Sequence, residues 1–220
     1  MDYESPTPQD LAEVRALNEE FLTLVAGHRD ASAPADGLSP SLASRLAELD
    51  ADAQRRLAAA PFLIFSLREY DDRYWDQVHS EGVACDLFTS RQAPSTDYGR
   101  LVAAALAFVW QLARRNPYTL RLICCASLYW CERLAERPLL HVINRTAGLD
   151  DLLALRAADN DALWDRLLRA GVVKDPVLRE ATHRSVLQML LMMPPAQRQG
   201  AWRTAACQTR LPSRQRTQPD

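Results

Sequence analysis

Apolar residues recur along most of this chain at spacings of three and four, the period of an amphipathic helix. Leu11, Val14, Phe21, Leu22 and Val25 share one helical face, with Thr7 as N-cap before Pro8 and Gly27 as terminator. Leu42, Leu46, Leu49, Ala53 and Leu57 repeat the pattern behind Ser39-Pro40, which predicts a second helix over 40–60. Pro61 stops or kinks it. The run Phe62-Leu63-Ile64-Phe65-Ser66-Leu67 fits a strand or a buried helix; helical spacing continued through Leu67, Tyr70, Tyr74 and Val78 favours helix.

Two stretches depart from amphipathicity. Leu101 to Trp110 contains no polar side chain, and Leu122 to Cys131 is interrupted only by Ser127. Between them stands a break, Arg114-Arg115-Asn116-Pro117. The pattern predicts two buried helices from Tyr98 to Arg137, a hairpin around which amphipathic neighbours pack. Ala103, Ala104 and Ala107 give the first of them a small face that another backbone could approach closely. Further on, Gly148 precedes a helix over 149–158, and Asp159-Asn160 starts another with Leu163, Trp164, Leu167 and Leu168 inward and Gly171 at its end. Asp175-Pro176 opens a last helix reaching Met193, which Pro194-Pro195 follows.

The resulting fold class is all-α: a single-domain bundle of about seven to nine helices around the 98–137 hairpin. Residues 1–195 form the helical domain. Residues 196–220 form a short helix around Trp202 and a basic, disordered tail. Residues 28–38 read as a linker, and 80–97 as the longest internal loop.

Composition narrows the function classes. With 48% hydrophobic and 25% charged residues the chain has the balance of a soluble globule. A net charge of −2 exerts no global pull on nucleic acid or anionic lipid. The charge is nevertheless polarised: residues 1–30 carry seven acids against two arginines, and 196–220 carry five arginines against one aspartate. Lys174 is the only lysine, a bias that points to a GC-rich, bacterial genome. A membrane span needs about 20 apolar residues, and Arg114, Arg115 and Arg121 cut the central stretch short of that. The acidic start Met1-Asp2-Tyr3-Glu4 lacks the character of an export signal, so the expected location is the cytoplasm. The five cysteines, Cys85, Cys124, Cys125, Cys131 and Cys207, are then reduced thiols. They lack zinc-site spacing.

Four side chains carry the best case for a metal. Asp76-x-x-His79 and Glu180-x-x-His183 each place a carboxylate and an imidazole one helical turn apart, as helical di-iron proteins do with Glu-x-x-His. Against this, Glu69, Asp72, Asp76 and His79 lie opposite the apolar residues of their segment, where a solvated face belongs. Residues 149–190 also admit a helix-turn-helix reading with Arg179 and Arg184 on the second helix, although the overall charge is wrong for a stand-alone DNA binder. Trp110 and Trp130 are candidates for partner contact if the core cannot bury both. No residue pattern marks a catalytic or cofactor-binding group, and no cofactor is expected. The leading expectation is therefore a non-catalytic regulatory, adaptor or chaperone-like protein that binds a protein partner through an apolar helical surface. A metal-dependent helical oxidoreductase and a DNA-binding regulator are the alternatives.

Overall fold

The computed structural model describes residues 4–27, 39–79, 97–146 and 152–194. Ten helices occur among them: α1 Pro8–Gly27, α2 Pro40–Ala47, α3 Ala51–Ala58, α4 Asp72–His79, α5 Asp97–Arg115, α6 Pro117–Cys124, α7 Leu128–Glu136, α8 Leu139–Thr146, α9 Asp161–Ala170 and α10 Pro176–Met192. The chain is an all-α bundle. Two residue pairs, β1 (Phe65–Ser66) and β2 (Ala154–Leu155), make a minimal antiparallel ladder with Phe65 opposite Leu155.

Most helices start where the side chains dictate. Ser39, Asn116 and Asp175 each accept a hydrogen bond from a first-turn amide, and each precedes a proline already set at helical φ. Thr7 and Asp10 cap α1 reciprocally: the Asp10 amide donates to Thr7 Oγ1 at 3.1 Å, and the Thr7 amide to Asp10 Oδ2 at 2.8 Å.

α5 is the hub, packing against α1, α6, α7 and α8. Leu101, Val102, Ala105, Leu106, Val109 and Leu112 are buried along it, within one core cluster that every helix but α4's polar face helps to line. α9 and α10 pack as an antiparallel pair, and α2 ties them to α1.

The helix count exceeds the sequence expectation because two long helices are split. The expected 40–60 helix breaks at Glu48, and Asp50 caps a new start by accepting from the Ala53 amide at 2.6 Å. The second central helix breaks at Cys125, which is left-handed at φ 51°. Ser127 then caps α7. No glycine or asparagine marks that left-handed site, so the pattern alone reads straight through it.

Two expected helices are corrected in part: the one through Leu67 to Val78 is helical only from Asp72, and that over 149–158 is not helical in its described residues. Residues 60–70 and 152–160 are not helical but form facing irregular segments around β1 and β2. Several of their backbone groups are satisfied from far along the chain. Asn18, fully buried in α1, donates through Nδ2 to Phe62 O at 2.9 Å and Ala58 O at 3.1 Å. Its Oδ1 accepts from the Ile64 amide at 3.0 Å. The Leu63 amide reaches Ile123 O, and the Arg156 amide reaches Ile64 O, both at 2.9 Å.

Candidate functional site

The irregular segments enclose the one fully buried ion pair among the described residues. Glu69 is 2% exposed and Arg156 7%. Arg156 Nη1 donates to Glu69 Oε1; Nε donates to Leu63 O and Nη2 to Phe65 O, each at 2.7 Å. The other carboxylate oxygen accepts from Ser66 Oγ at 2.7 Å and the Leu67 amide at 2.8 Å. Trp164 Nε1 closes the set by donating to Arg156 O at 3.0 Å. Burial opposes the guanidinium's charge, but the adjacent carboxylate outweighs it and raises the Arg156 pKa.

Three non-glycine residues with positive φ border this pair: Arg68, Cys125 and Ala157. Such conformations cost energy and persist where the surroundings over-determine them. The recess beside the pair, lined by Cys125, Ala157 and Met193, holds about 20 Å³. That is room for a single water. Each guanidinium nitrogen and both carboxylate oxygens have a partner, so the arrangement is a strut joining the β1 and β2 segments.

Glu69 was expected on a solvated face, and His79 with it. Both are buried, because the helical phase carried from Leu67 does not exist: α4 starts only at Asp72 and turns Trp75, Val78 and His79 inward. Of that group Asp72 and Asp76 alone are exposed. Asp76 pairs with Arg133 at 2.5 Å. Glu180 is exposed and pairs with Arg184 at 3.3 Å, whereas His183 is buried with Nε2 3.0 Å from Gly171 O. The two histidines thus sit in different contacts, one under α7 and α8 and one on the α9–α10 turn. Among the described residues no three His, Cys, Asp or Glu side chains gather closely enough to hold a metal ion.

The other candidates separate similarly. Trp130 is buried edge-on to Trp75, ring centroids 5.4 Å apart. Trp110 is half-buried; its Nε1 donates to Arg137 O at 2.6 Å, and Arg114 covers its ring. Of the pair only Trp110 reaches the surface. α9 and α10 do form a helix–turn–helix, but Arg179 folds back to donate to Val173 O at 3.0 Å, leaving Arg184 outward. Cys85, Cys207, the 80–96 loop and the basic tail lie outside the described residues.

Burial, reinforced by the Glu69 charge, pushes the Cys124 thiol well up and the Cys131 thiol to about 12. Both thiols are expected to resist iodoacetamide at pH 8 until the chain unfolds. Peptide mass spectrometry reads this directly, and rapid native labelling at either position would contradict the packing.

A second feature was half-visible in the sequence. A groove of about 330 Å³ runs between α1 and α5. Ala104, Ala107, Phe108 and Leu112 line it together with Gln9, Glu13 and Gln111. Ala104 is exposed and Ala107 and Phe108 half-buried, so the small face anticipated on α5 remains open in part. Arg115 closes one end by pairing with Asp10. Burial would raise the Asp10 pKa, but bonds from Thr7 and Arg115 overcome it and lower the value.

No helix among the described residues is long and apolar enough to cross a membrane. No protein-family model, no curated protein and no solved structure matches the chain.

Proposed function

We propose that the chain is a non-catalytic regulatory, adaptor or chaperone-like protein of the cytoplasm that receives a helix of a protein partner in the groove between α1 and α5. The observation that carries the reading is the exposed Ala104 beside the half-buried Ala107 and Phe108, small or apolar positions in a groove otherwise lined mainly by polar side chains. Small residues let a second helix backbone come close, and an aromatic edge supplies apolar area to bury. The polar side chains of Glu13 and Gln111 would fix the register of the incoming helix. The strut supports the same reading from the other side, since its buried charges are consumed in holding the scaffold.

A photo-cross-linking residue placed at Ala104 tests this in native lysate, with one at the exposed Glu180 as control. The expected result is one partner captured from Ala104, not captured from Glu180, and lost when Ala107→Glu is added. Ala107→Glu should weaken the purified complex at least about tenfold, or 1.4 kcal/mol, without moving the thermal midpoint of the chain alone. Equal capture from both positions would contradict the assignment.

A further inference from the structure

His79 ends α4 and is 3% exposed, yet neither ring nitrogen has a hydrogen-bond partner among the described residues. Its ring lies over Trp75 at 5.6 Å between centroids, and Trp75 meets Trp130 of α7 edge-on. From α8, His141 Nε2 stands 3.3 Å from Val78 O and Arg145 Nε donates to the same oxygen at 3.5 Å. Side chains of α8 thus hold the last turn of α4, where the helix dipole is negative.

The charged groups that face His79 among the described residues are Arg133 and Arg137 at α7, His141 on α8 and Asp76 on α4. The surroundings are net positive, and Asp76 is engaged by Arg133. A proton added to His79 would create a buried cation beside two arginines, with no acceptor for it among the described residues. His183, the other buried histidine, differs: its Nε2 already faces Gly171 O and can donate to it in either state.

We propose that the contact of α4 with α7 and α8 is an acid-operated latch, shut only while His79 is uncharged, whose opening uncovers Trp75 and Trp130. Burial first, then Arg133, Arg137 and His141, hold the His79 pKa at about 4 in the shut form, against 6.5 for an ordinary histidine. The open form takes up the proton that the shut form refuses. The latch is therefore at full strength above about pH 6.5 and weakens as pH falls toward 4.

Hydrogen exchange of the full chain, corrected for the intrinsic pH dependence of the amides, tests this. Linkage through one proton gives α4 protection factors about twentyfold lower at pH 5 than at pH 7, with α5 amides unchanged. His79→Phe keeps an aromatic ring on Trp75 and cannot titrate, so its α4 protection should be the same at both values. Wild-type α4 protection that does not change, or the same loss in His79→Phe, would overturn the latch. If His79→Phe fails to fold, NMR titration of the wild-type imidazole decides: half-protonation near pH 4 supports the latch, and near 6.5 overturns it.

Discussion

Replacing Arg156 with methionine is expected to destabilise the chain by about 3–5 kcal/mol, because the Glu69 carboxylate stays buried without its cation. Leu63 O and Phe65 O lose their donors in the same step. Methionine keeps an unbranched apolar stem but not the guanidinium, so the loss is mainly that of the buried cation and its donors. Charge bookkeeping alone gives a second expectation. In Glu69→Gln/Arg156→Met no ion is stranded, and more than half of the loss should return. Urea denaturation of the two variants measures both quantities. A single variant within about 1 kcal/mol of wild type would mean that water reaches the pair.

Asn18→Leu should cost a comparable amount, about 3–5 kcal/mol. The side chain has the same branching as asparagine but makes none of its three hydrogen bonds, and each buried backbone group left unpaired costs about 1–3 kcal/mol. The orphaned groups are Ala58 O at the end of α3, and Phe62 O and the Ile64 amide in the irregular segment after it. The loss should therefore appear as faster hydrogen exchange over residues 58–66 before α5 is affected. A variant with wild-type stability would show that this segment does not depend on α1.

These two residues also mark where sequence reasoning stopped. Caps followed by proline are local devices, and Ser39, Asn116 and Asp175 were legible for that reason. The α5 core and its alanine face were legible because a helix repeats its environment every few residues. The segments at 60–70 and 152–160 take their hydrogen bonds from far along the chain: Asn18 serves Ile64 from 46 residues away, and Arg156 serves Glu69 from 87. No periodicity records such pairings, so both segments were assigned to helix. The same error of phase placed Glu69 and His79 in water. One sign was available: Arg156 interrupts the run Leu152-Leu153-Ala154-Leu155 with a charge, and a charge inside an apolar run needs a counter-ion. The groove is legible only in part, because Ala103, Ala104 and Ala107 announce a small face but not whether a neighbour already fills it.

On the proposed function the interior is scaffold and the trough between α1 and α5 is the working surface. Hydrogen exchange of the complex captured through Ala104 tests that division most directly. Protection is expected to rise over residues 9–13 and 104–111, with α9 and α10 unchanged. A footprint on α9 and α10, or none on α1 and α5, would contradict it.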